Sequence, residues 1–163
     1  MGGADLADKA DPEARLQHAL ELAYRYLGRR DRTREQVRAQ LEKAEVDAGT
    51  ADTALAELER QGAVDDERYA RLFAEDRRRL DGWGSDRIAA RLAEFGVPGH
   101  VIEAELGGLE PGDELAGALE VLRGRLSSPP ASERERERAL GLLVRRGYPL
   151  ETAYDAVRAF ERG

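Results

Sequence analysis

Apolar residues return along this chain at the spacing of one helix face. Leu16, Ala19, Leu20, Ala23 and Leu27 fall at i, i+3 and i+4 and predict a first helix. Val37, Leu41 and Ala44 predict a second, and Ala51, Ala54, Leu55 and Leu58 a third. The same triplet follows twice more. Tyr69, Leu72 and Phe73, then Ile88, Leu92 and Phe95, then Val101, Ile102, Leu106 and Leu109 form the second set. Leu115, Leu119, Leu122 and Leu126, then Leu140, Leu143 and Val144, then Ala153, Ala156, Val157 and Phe160 form the third.

The recurrence has a constant step. A shift of 51 residues aligns Val37 with Ile88 and Ala139, Leu41 with Leu92 and Leu143, and Val46 with Val97 and Tyr148. It also aligns Ala51 with Ile102 and Ala153, Leu55 with Leu106 and Val157, and Leu58 with Leu109 and Phe160. So many apolar triples in one register imply three copies of one structural unit, beginning near Leu16, Arg68 and Leu115.

Helix punctuation supports the division. Thr33 with Gln36 and Ser132 with Glu135 have the spacing of a capping box, and Ser85 reads as a simple N-cap before Ile88. Pro98 and Pro149, aligned with Asp47, suit the first turn of each third helix. Gly96 and Gly147 suit left-handed ends of the second helices, whereas the first unit has Glu45 there. Asp65 and Asp66 precede a helix start, where acids favour the dipole and cap the first turn. The breaker-rich stretches 82–84, 107–112 and 127–130 are expected to be flexible joints.

Composition sharpens the class. The 163 residues are 41% hydrophobic and 36% charged with only 6% aromatics, an Ala, Leu, Glu and Arg mixture that excludes an all-β fold. With no Cys, the chain has no disulfide, thiolate metal site or cysteine nucleophile, and a reducing, cytoplasmic setting is expected. No apolar run is long enough to span a bilayer, and residues 1–13 lack the character of a signal peptide. His18 and His100 are isolated, so neither a metal site nor a cofactor is expected, and the glycines at 107–112 lack the Lys-Ser/Thr ending of a phosphate loop.

Charge is uneven. Net charge is −7, yet residues 25–38 hold six Arg against Asp31 and Glu35. Further Arg lie at Arg77, Arg78 and Arg79 and at Arg145 and Arg146. Arg29, Arg30, Arg32 and Arg34 occupy a turn and helix start, where the dipole disfavours cations, so helix stability does not account for them. A partner contact through Arg29, Arg30, Arg32, Arg34 and Arg38 and the two later clusters does, since guanidinium groups suit phosphates and carboxylates. Trp83, between Gly82 and Gly84, is expected to pack back onto its own unit.

Three stretches together resemble the RecX family of regulators of the RecA recombinase. Gly62-Ala63-Val64-Asp65-Asp66-Glu67-Arg68-Tyr69-Ala70 is similar to the family's joint between its first two units. Gly82-Trp83-Gly84 with Arg87-Ile88 and the run from Leu92 to Val97 resembles the middle unit, and Leu143-Val144-Arg145-Arg146-Gly147-Tyr148 the last. The resemblance implies an all-α fold of three tandem three-helix repeats in an elongated, curved array. It implies a non-enzymatic inhibitor that occupies the groove of the RecA filament on DNA and blocks recombinase and coprotease activity. Direct DNA binding by a helical repeat protein is the alternative.

The expected organisation is therefore an acidic, disordered tail at 1–14, units at 15–64, 65–112 and 113–163, and a monomer. Asp65, Asp66, Tyr69 and Trp83 are expected at the structural joints. DNA is expected to be met through the filament, and no membrane partner is expected.

Overall fold

A computed structural model describes residues 11–163. Among them are nine α-helices and no strand. In chain order these are α1 (Pro12–Leu27), α2 (Arg34–Lys43), α3 (Ala48–Arg60), α4 (Asp66–Asp76), α5 (Ser85–Glu94), α6 (Gly99–Gly107), α7 (Pro111–Arg125), α8 (Glu133–Arg145) and α9 (Leu150–Arg162). A five-residue π-helical turn, Arg77–Asp81, extends α4. The tandem triplets α1–α3, α4–α6 and α7–α9 follow the 51-residue step. Helix α1 begins inside the segment expected as tail: Asp11 accepts from the Ala14 N–H at 2.8 Å, and Pro12 opens the first turn, where it lacks no needed donor. The rest of that tail lies outside the described residues.

The helices gather into two compact units, residues 11–69 with 95–97, and residues 70–94 with 98–163. The segment 65–112 is thus shared between them, and the expected boundary at 112/113 runs inside the second. In the first unit, Ala19 and Ala23 of α1, Val37 and Leu41 of α2, and Ala54, Leu55 and Leu58 of α3 form one apolar core with Val64. Small Ala side chains let the helices approach closely, and the Leu side chains fill the centre. In the second unit, α9 packs on α7 and α8 through Ala153, Ala156 and Val157 against Ala118, Leu122, Ala139 and Leu143. Ile88, Leu92, Val101 and Ile102 of α5 and α6 are also buried there.

The ends of the second helices explain one aligned triple. After α2, Val46 N–H donates to Leu41 O and Glu45 N–H to Glu42 O, and after α8, Tyr148 donates to Leu143 and Gly147 to Val144. This is a Schellman ending, which turns the next apolar residue back onto the core. It places Val46 against the first core and Tyr148 within the second. Glu45 does hold the left-handed conformation, with φ 65°, alongside Gly96 at 83° and Gly147 at 96°.

Some local expectations change. Pro98 and Pro149 stand at the N-cap, one step before the first turn. Helix α6 ends at Gly107, so Leu109 packs from a loop, and Leu72 points outward. Ser85 is already helical, and Gly84 holds the capping position.

Candidate functional site

The first unit shows how a joint in this chain is built. Thr33, fully buried, accepts from the Gln36 N–H at 3.1 Å, while Gln36 Oε1 accepts from the Thr33 N–H at 3.0 Å. Thr33 Oγ1 then donates to the Phe95 carbonyl at 2.6 Å, so one hydroxyl caps a helix and ties two repeats. Asp65 caps α4 by accepting from the Arg68 N–H at 3.0 Å. Asp66 reaches instead to the start of α2, accepting from the Arg34 N–H at 2.9 Å. Burial raises the Asp66 carboxyl above its ordinary range. Tyr69 meets Phe95 edge to face, with ring centroids 6.1 Å apart.

The second unit repeats the scheme with different atoms. Gly84 N–H donates to the Arg146 carbonyl and Asp86 N–H to that of Gly147, both at 2.8 Å. A Cβ on Gly84 would stand 2.5 Å from the Gly147 carbonyl, so glycine is required for this backbone approach. The stretch 82–84 is therefore a packed joint, not a flexible one. Glu114 accepts from both the N–H and the hydroxyl of Ser85, at 3.0 and 2.6 Å, the role Asp66 plays in the first unit. Tyr148 donates to Gly82 O at 3.1 Å, and its burial pushes the phenol up to about 12. Trp83 packs edge to face on Phe73.

This second joint frames a cleft of about 620 Å³. Arg78 and Arg79 of the π-helical turn, Arg87 of α5, Arg125 at the end of α7 and Arg146 after α8 line it, with Trp83. Against these five cations stand Asp81 and Glu120, a local surplus of +3 in a chain of net −7. The Asp81 carboxylate is already bonded to Arg77, and its carbonyl accepts from Arg146. Arg87 lies over the Trp83 ring at 4.1 Å. Arg78 Nε and Nη2 are buried without a hydrogen-bond partner, a state that ordinarily costs on the order of 1–3 kcal/mol or more for a charged group.

The arginines singled out from the sequence divide accordingly. Arg78, Arg79 and Arg146 meet at the cleft, while Arg77 serves the fold, pairing with Asp81 and lying over the Phe73 ring. Arg145 is exposed outside it. In the first unit Arg34 pairs with Glu59 at 2.6 Å, Arg38 with Glu35 at 2.7 Å, and Arg32 lies over Tyr26 at 4.2 Å. Arg29 and Arg30 are exposed in the turn before α2. Arg87, noted in the sequence only within the middle-unit motif, and Arg125, two residues after Arg123, belong to no run of arginines; only the fold adds them to a cluster. His18 and His100 are exposed, and among the described residues no group of three or more His, Cys, Asp or Glu is placed to hold a metal. No helix among them is long and apolar enough to cross a membrane.

Comparisons with known proteins bear on these features. Residues 19–58 match the family model for the first three-helix domain of RecX, and residues 65–106 that for the second. A regulatory protein RecX of Amycolatopsis mediterranei is 32% identical over 90% of this chain and 85% of its own length. Another, of Thermus thermophilus, is 36% identical over 86% and 90%. Among solved structures, RecX from Lactobacillus salivarius superposes with a TM-score of 0.83 at 16% identity, over 93% of this chain and 99% of that one, a likeness of fold.

Proposed function

Because the chain belongs to the RecX family, we propose that it is a non-enzymatic regulator that binds the RecA filament on DNA and inhibits strand exchange and coprotease activity. The observation that carries this reading is the match to proteins named regulatory protein RecX over nearly their whole length. The surface chemistry supports it. A filament exposes DNA phosphates and acidic side chains, and arginines spread over both compact units suit either. In the first unit Arg29 and Arg30 are the exposed donors; in the second Arg78, Arg79, Arg87, Arg125 and Arg146 converge. The joint residues Asp65, Asp66, Tyr69 and Trp83 act by holding the helices that carry them.

Strand exchange and DNA-dependent ATP hydrolysis by a cognate RecA, with and without this chain, test the proposal. Inhibition at stoichiometric or lower ratios is expected. No effect at stoichiometry would remove it. Naked-DNA binding, the alternative, is expected to be weak at physiological salt for a chain of net −7. Tight naked-DNA binding with a steep salt dependence, independent of RecA, would favour that alternative.

A further inference from the structure

Within the second compact unit, the cleft framed by Arg78, Arg87, Arg125 and Arg146 has the features of a small-molecule anion site. It is an open cleft of about 620 Å³, with room for a small phosphorylated group. Its cations come from four separate segments: the π-helical turn, α5, α7 and the turn after α8. Donors that converge from several directions suit the tetrahedrally arranged oxygens of a phosphoryl group better than a carboxylate, whose two oxygens lie in one plane. Gly117 and Gly124 face the cleft from α7, and a Cβ on Gly124 would meet nothing within 4 Å, so the helix leaves room for a ligand.

Arg78 stands between two clefts. Its Nε and Nη2 donors are buried and unpartnered, and its side chain forms a wall shared with an adjoining cleft. That neighbour shares Arg78, Arg79 and Glu120 with the first cleft and adds Glu75, Asp113 and Glu114, so acids outnumber arginines there and an anion is disfavoured. The first cleft adds Arg87, Arg125 and Arg146 against Asp81 alone, which gives it the surplus of +3. A terminal phosphate carries about −1.5 to −2 near pH 7, so two linked phosphates match this surplus more nearly than one. We propose that the cleft binds the diphosphate group of a small phosphorylated ligand through Arg78, Arg87, Arg125 and Arg146. This goes beyond the filament reading and stands independently of it, because the test contains no recombinase.

Trp83 lines the cleft and is the only tryptophan of the chain, so its fluorescence reports occupancy. The full chain is titrated with inorganic pyrophosphate at constant ionic strength, and separately with oligothymidylate. A saturable change in Trp83 emission with pyrophosphate is expected. In R78Q and R125Q the half-saturation should rise at least about tenfold, the loss of one charge-assisted hydrogen bond. R134Q, an exposed change on α8 outside the cleft, should leave it unaltered. Circular dichroism checks each variant, and if R78Q fails to fold, R125Q decides, since Arg125 is exposed. No saturable response to millimolar pyrophosphate would overturn the proposal, as would a response undiminished in the folded variants. A response to oligothymidylate without one to pyrophosphate would overturn it in favour of a DNA-backbone contact.

Discussion

Glu45 and Gly96 stand 51 residues apart at the same step of successive repeats, and both are left-handed, with φ of 65° and 83°. Only Gly96 has another segment against its Cα: a Cβ there would lie 2.5 Å from Glu35 Cγ and closer still to its Cβ. Glu45 is exposed, so a side chain is sterically tolerated and only the backbone conformation is strained. E45G should therefore raise stability by about 1 kcal/mol, and G96A should lower it sharply. Urea denaturation midpoints of the two variants check this, and a neutral or destabilising E45G contradicts it.

Asp65 and Asp66 are adjacent in sequence but serve different helices. D65A removes the cap of α4 and should cost about 0.5–2 kcal/mol. At Asp66, burial raises the carboxyl's proton affinity in the folded state, so the folded chain holds that proton more tightly than the unfolded one. Stability should then fall as pH rises from the ordinary carboxylate range through the raised native value. D66N keeps an acceptor for the Arg34 N–H without the charge and should flatten that slope, whereas D66A should destabilise throughout. Denaturation across pH 3–7 separates them; a D66N slope equal to the parent's would show that another group titrates.

Tyr148 supplies the alkaline counterpart. Its phenol is pushed up to about 12, so its protonated form is favoured by folding. That stability is fully present below the unfolded tyrosine value, near about 10, and is lost as pH rises toward the native one. Y148F loses the bond to Gly82 O, at a cost of about 0.5–1.5 kcal/mol near neutrality, and should show a shallower decline above pH 10. Thermal melts at pH 7 and 11 suffice; parallel declines in both proteins would exclude Tyr148 as the titrating group.

The arginines of the first unit are not equivalent contacts. Arg34 and Arg38 are engaged with Glu59 and Glu35, whereas Arg29 and Arg30 stand exposed before α2. R29E/R30E should weaken inhibition of RecA strand exchange at least tenfold while the fold is unaffected, because exposed charges contribute little to stability. R34E/R38E should produce a smaller loss together with a lower melting point. Unaltered inhibition by R29E/R30E would move the contact to the second unit's cleft.

Much of this architecture was legible because helical periodicity is a local property. The 51-residue register of Val37, Ile88 and Ala139, and of Leu41, Leu92 and Leu143, predicted positions that are all buried. The Thr33–Gln36 box and the left-handed Glu45 were equally readable, since a cap or a helix end needs only its nearest neighbours.

The chain by itself therefore determined the helices, their repeat and the family to which its motifs point. Tertiary structure decided which charged groups act together. Arg77, Arg78 and Arg79 are one run in sequence, yet Arg77 turns to Asp81 while the other two face the cleft with Arg87, Arg125 and Arg146. It also decided that Asp66 and Glu114 cap helices distant in sequence, and that Ser85 donates rather than caps. The physical reason is range: apolar spacing and capping are read over three or four residues, but charge pairing and burial depend on what folding brings to the same few ångströms.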